Sequence, residues 1–193
     1  MNLGITDPYT CCPVYETGSF SLRLVQMDDA ADLLRCYSDP DSHPLFNSDN
    51  CHSDFRMTTL EEMGRCIEAW LGEYKTRAYV RFSIVERKSE RAIGTIEFFT
   101  RKLVQGDEKG EAGILRLDLA SEYEQADVLS EMIELVELQF PQHFTFSGVL
   151  TKAVPQAVHR VAVLQRLGYH KLERSRELPF GDYYIKYKQE LYQ

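Results

Sequence analysis

The chain has 193 residues, 44% of them hydrophobic and 27% charged, with a formal charge of −8. That length supports one substantial core, and the composition is ordinary for a globular protein. The negative balance and the lack of any Lys/Arg run oppose nonspecific binding to nucleic acid or an anionic bilayer, and no stretch has the apolar length of a membrane span.

Residues 1–19 are rich in turn formers and read as a lead-in. Residues 20–193 read as a single domain without repeats or a low-complexity linker. "FSLRLVQ" (Phe20–Gln26) alternates as a strand does, and "DDAADLLRCYSD" predicts a short helix with Asp28 or Asp29 near its N-cap. Asp39 to Asp54 reads as a loop. A better helix starts after Thr59, which has capping-box spacing to Glu62, with Leu60, Met63, Ile67 and Trp70 or Leu71 on one apolar side.

Two strands, "AYVRFSIVER" and "AIGTIEFFTRK", follow with a polar turn at Lys88–Glu90. "LVQGDEKGEAG" predicts another turn before the strand "GILRLDL", completing an antiparallel meander. A helix is expected after Ser121, with Val128, Leu129, Met132, Ile133, Val136 and Leu138 available for burial. "HFTFSGVL" is the next strand. A further helix from about Val154 to Leu167 has Pro155 in its first turn and Gly168 at C′. "YHKLER" and "DYYIKYKQELY" add strand-like material.

Cys11, Cys12, Cys36, Cys51 and Cys66 are odd in number and confined to the first third, which argues against a disulfide framework. Without a basic, apolar secretion signal, a cytoplasmic location is the expectation. His43, His52, His143, His159 and His170 form no metal motif, so no metal is expected. "RKLVQGDEKGEAG" lacks a Walker lysine followed by Ser or Thr.

The order of these pieces resembles the GNAT superfamily of N-acetyltransferases, with the ribosomal-protein alanine acetyltransferases as the nearest branch. The residues that carry the likeness are "FSLRLVQMDDAADLLRCYSD", "IGTIEFF", "GILRLDLASEYEQADVLSEMIELV" and "AVHRVAVLQRLGYHKLER", across roughly residues 20–190. The resemblance implies an α/β fold with a mixed central sheet flanked by helices. It implies acetyl-CoA as cosubstrate, lying between the two central strands "GILRLDL" and "HFTFSGVL". It places cofactor binding on Leu119, Gln125, Ala126, Asp127, Val128 and Leu129, and on Ala157 and Arg160 of the later helix.

The cofactor motif is degenerate. Gln125 and Asp127 stand where the family has glycines, while Ser130 and Glu131 stand where this branch often has Thr–Glu. Ala157 and Arg160 stand where it has Asn and Ser. Leu164 occupies the place of a tyrosine that protonates the departing thiolate.

Two readings of the turn are open. Ser121 and Glu124 have capping-box spacing, and Glu122, Glu124 and Asp127 suit the positive end of a helix, each at about 0.3–1 kcal/mol when exposed. That reading needs no ligand. The other is a diphosphate cradle, where the same carboxylates would repel the ligand and side chains would crowd its approach unless Arg160 or Arg116 compensates.

On the GNAT reading, Glu97 is the first candidate for general base, because it interrupts an apolar strand beside the cleft. Asp118, at the edge of "GILRLDL", is the second. Outward alternation explains either carboxylate equally well. The acceptor would be an amine-bearing small molecule or a protein N-terminus, with no nucleic acid or membrane partner. An exposed strand or the aromatic C-terminus offers a surface for a homodimer. The competing class is a GNAT-like binding or structural module without catalysis, motivated by Gln125, Asp127, Ala157, Arg160 and Leu164 together.

Overall fold

The computed structural model describes residues 7–46, 55–105, 108–174, 178 and 181–188. Cys51 and His52 therefore lie outside the described residues. In chain order the elements are β1 (Tyr15–Glu16), β2 (Phe20–Leu24), α1 (Ala30–Ser38), α2 (Leu60–Lys75), β3 (Val80–Glu86), β4 (Arg91–Gln105) and β5 (Glu108–Leu119). Then come α3 (Ala126–Gln139), β6 (Gly148–Lys152), α4 (Val158–Arg166), β7 (His170–Lys171) and β8 (Tyr183–Tyr187).

The strands form one mixed sheet in the order β1-β2-β3-β4-β5-β6-β8-β7. β3, β4 and β5 make the expected antiparallel meander, which β2 and then β1, a strand inside the expected lead-in, extend. β5 and β6 run parallel, from Ala112 opposite Gly148 to Leu115 opposite Thr151. The α/β class and mixed sheet are as the sequence implies.

Alternation along the strands sends apolar residues to one face. Leu22, Phe82, Ile84, Ile96, Phe98, Leu115, Leu117 and Leu119 are buried in one core with Leu129, Met132, Ile133 and Val136 of α3. A second core on α1 and α2 gathers Leu33, Cys36, Tyr37, Met63, Ile67 and Trp70.

The capping box of α2 is formed. Thr59 Oγ1 accepts from the Glu62 amide at 3.1 Å, and Glu62 Oε2 accepts from the Thr59 amide at 3.1 Å. Met63, Ile67 and Trp70 are buried as expected, whereas Leu60 is exposed. On α3 the expected burial of Leu138 is not met. Its neighbour Glu137 turns inward instead and accepts from Lys186 Nζ of β8 at 2.9 Å.

Several boundaries differ. The expected turn at 103–113 is mostly strand, since β4 and β5 stay paired from Thr100 opposite Gly113 out to Gln105 opposite Glu108. Gly110 and Gly113 are points of close approach. A Cβ at Gly113 would lie 2.3 Å from Phe98 Cζ, and one at Gly110 would lie 2.4 Å from Ser147 Oγ. The strand expected over "HFTFSGVL" begins only at Gly148, because Phe144 and Phe146 are drawn into the aromatic core. The last helix starts at Val158, with Pro155 in the turn before it. Gly168, at φ +87°, ends it as expected.

Candidate functional site

Two features meet at the C-terminal end of β5. The first is a parting of strands. The ladder with β6 stops at Leu115 opposite Thr151, while β5 continues to Leu119 beside β4. Arg160, in the first turn of α4, reaches this parting. Its Nη1 donates to the Leu117 carbonyl at 2.7 Å, and its Nη2 is ion-paired with Glu124. Arg160 is 2% exposed and Glu124 6%.

The turn that follows β5 differs from the expected capping box. Ser121–Tyr123 forms a short 3-10 turn, and α3 starts at Ala126 with Gln125 at its N-cap. Ser121 does not cap the helix. Glu124 is recruited by Arg160, and this tertiary ion pair outweighs a local cap.

The amides of this turn meet the protein's own carboxylates. The Ser121 amide donates to Asp39 Oδ2 at 3.2 Å, and the Val128 amide to Asp127 Oδ1 at 3.0 Å. Partial burial would raise the Asp39 carboxyl. Hydrogen bonds from Ser121, Ser42 and Asp41 outweigh it and hold the group at about 2.

The expected cofactor residues thus divide. Leu119 and Leu129 lie in the core, Val128 is half-buried, and Gln125, Ala126 and Asp127 are exposed at the start of α3. Ala157 is the buried N-cap of α4. Leu164 is fully buried in the main core. Tyr169, at the end of α4, is also buried, and burial pushes its hydroxyl well up.

The second feature is a polar ladder on the α1/α2 face of the sheet. Register places Arg81, Glu97 and Arg116 side by side on β3, β4 and β5. The neighbouring row is Ser83, Thr95 and Asp118. Glu97 is held on both oxygens, Oε2 by Arg81 Nη2 and Oε1 by Arg116 Nη1. Asp118 Oδ2 accepts from the Tyr37 hydroxyl at 2.9 Å, with Arg81 Nη1 at 3.5 Å. Arg81 Nη1 also donates to Thr95 Oγ1 at 3.0 Å, and its guanidinium lies 4.2 Å from the Trp70 ring centroid.

Burial opposes the Arg81 charge, but the Glu97 carboxylate beside it prevails and raises its affinity for its proton. Burial, then the Asp118 charge, push the Tyr37 hydroxyl well up. Arg116 closes the ladder next to the parting strands, 5.2 Å from the Phe99 ring centroid.

Sequence reasoning singled out Glu97 and Asp118 but missed Arg81, Tyr37, Thr95 and Asp39. A usable signal existed for Arg81, which interrupts the apolar run "YVRFSIV" just as Glu97 interrupts "GTIEFF". Among the described residues, no group of three His, Cys, Asp or Glu could hold a metal ion.

No family model matches the sequence, and no curated protein matches it either. Solved structures do. A GNAT-family acetyltransferase from Bacillus anthracis superposes with a TM-score of 0.66 at 11% identity, covering 92% of this chain and 99% of its own. The ribosomal-protein-S5-alanine acetyltransferase of Vibrio fischeri gives 0.60 at 15% identity, covering 94% and 100%. RimJ of Mycobacterium smegmatis, in complex with CoA-disulfide, gives 0.65 at 15% identity, covering 90% and 84%. The chain has the GNAT acetyltransferase fold.

Proposed function

We propose that this GNAT-fold chain is an N-acetyltransferase, moving an acetyl group from acetyl-CoA to a primary amine of a protein N-terminus or small molecule. The observation that supports it most is the parallel β5–β6 pair that parts beyond Leu115 and Thr151, in a chain sharing its fold with acetyltransferases over about nine-tenths of its length. The fit of the residues to acyl-CoA is partial. Arg160 offers a fixed positive charge at the parting, but the Ser121 and Val128 amides are engaged by Asp39 and Asp127.

On this reading the neutral amine attacks the thioester carbonyl, the C–S bond breaks, and the thiolate leaves with a proton. Glu97 and Asp118 are the proposed acceptors of the amine proton, reached through water because their oxygens already receive protein donors. Arg116, where the ladder meets the parting, is the proposed stabiliser of the negative carbonyl oxygen. Leu164 has no proton to give, so the thiolate takes its proton from solvent. A cytoplasmic setting accompanies the reading and suits the free thiols of Cys11, Cys12 and Cys36. No helix among the described residues is long and apolar enough to cross a membrane.

Calorimetric titration of folded protein with acetyl-CoA tests the premise, followed by thiol release in the presence of amines. An absence of binding at millimolar ligand would end the proposal. The Arg160–Glu124 pair favours a second reading, a GNAT-fold binding module without acetyl-CoA chemistry. Ordered diphosphate density at Ser121–Val128 in CoA-soaked crystals would count against that module.

A further inference from the structure

We propose that Glu124 is a built-in substitute for an anionic ligand group, holding Arg160 at the parting of β5 and β6 until an anion carried by the ligand takes its place. This rests on the acyl-CoA reading, where that anion is the diphosphate.

The two partners are unequally fixed. Arg160 rises from α4 between buried Ala157 and the buried pair Val163–Leu164, and its Nη1 is anchored on the Leu117 carbonyl at 2.7 Å. The anchor leaves Nη2 turned toward the loop before α3, where Glu124 meets it. Glu124, 6% exposed, sits on a loop between exposed Glu122 and Gln125, whereas Arg160 is carried by a helix. Glu124 is the partner that moves.

Arginine cannot shed its charge inside a protein, so its guanidinium cannot be left buried and unpaired. A neutral ligand cannot replace the carboxylate that Glu124 brings to that charge. A diphosphate can, because its oxygens accept from a guanidinium as a carboxylate does. Arg160 thereby makes the parting selective for acyl carriers that bring their own anion. It also supplies the positive charge that the glycine-free turn does not.

The test is calorimetric titration of the full chain with CoA and with pantetheine, which lacks the nucleotide diphosphate. Wild type, Glu124→Gln and Arg160→Met are compared, with thermal melting to show each is folded. Wild type should bind CoA at least about tenfold tighter than pantetheine, and Glu124→Gln should tighten CoA by about tenfold while leaving pantetheine within about twofold. Arg160→Met should bring CoA down to the pantetheine level. If Arg160→Met does not fold, Glu124→Gln decides alone.

Unchanged or weaker CoA binding by Glu124→Gln would overturn the inference, as would undiminished CoA binding by Arg160→Met. The expected affinities without acetyl transfer to any amine would sink the acetyltransferase reading and leave this inference standing. Acetyl transfer by wild type, with Glu124→Gln unchanged toward CoA, would do the reverse.

Discussion

Arg81 and Glu97 stand opposite each other in the β3–β4 register and meet as an ion pair with both side chains almost fully buried. Desolvating two charges is expensive, and the pair is tolerable because Arg116, Tyr37, Thr95 and Asp118 surround it with further donors and acceptors. Arg81→Met removes a guanidinium that serves both Glu97 and Asp118. Urea unfolding should show a loss of about 3–5 kcal/mol. Arg81→Lys should recover only part of it, since a point charge cannot span both carboxylates. A loss below about 1 kcal/mol for Arg81→Met would contradict the network's role.

Asp39 ties the end of α1 to the turn after β5. Its folded value of about 2 lies below the ordinary 3.8. A lowered folded value adds stability above the unfolded value, and that stability is lost as pH falls through the folded one. Thermal melting of Asp39→Asn against wild type should therefore show a deficit that is full above about pH 4 and shrinks toward about pH 2. A deficit independent of pH would show that the carboxylate charge is not what matters.

Asp127 occupies an amide at the start of α3 from an exposed position. Asp127→Gly should cost about 1–2 kcal/mol, combining the lost charge–dipole interaction with the penalty of glycine in a helix. On the acetyl-CoA reading the same change removes a like charge and a side chain from the diphosphate's approach. Titration should then show tighter CoA binding despite the lower melting temperature. Weaker CoA binding would mean that the α3 start does not face the ligand.

Gly94 and Gly113 are both points of close approach in the sheet, but what lies opposite differs. A Cβ at Gly94 would sit 2.1 Å from the Asp118 carbonyl oxygen and 2.9 Å from Leu119 Cα. At Gly113 the obstacle is the Phe98 ring, 2.3 Å away. Overpacking typically costs about 1–3 kcal/mol, and main chain yields less readily than a side chain. Gly94→Ala should therefore be the more damaging in chemical denaturation, and the opposite order would refute this account.

Much of the frame was legible because it is encoded locally. Thr59 and Glu62 announce the α2 cap, Gly168 announces the end of α4, and alternation announces β3 and β4. The errors fall where distant residues intervene. Ser121 and Glu124 have the spacing of a capping box, yet Arg160, far along the chain, claims Glu124. Gly110 reads as a turn residue, while its actual role is to let Ser147 approach. Glu97 could be singled out from its apolar neighbours. Its partnership with Arg81 depends on strand register, which the turn around Lys88–Glu90 sets and the sequence leaves undetermined.

β5 also works as a shared beam. Its Leu117 carbonyl holds Arg160, while the adjoining residue, Asp118, holds Tyr37 from α1 on the opposite side of the sheet. One peptide plane, between Leu117 and Asp118, lies between these two grips. α4 and α1, on opposite faces of the sheet, are thereby tied to the same stretch of β5 main chain.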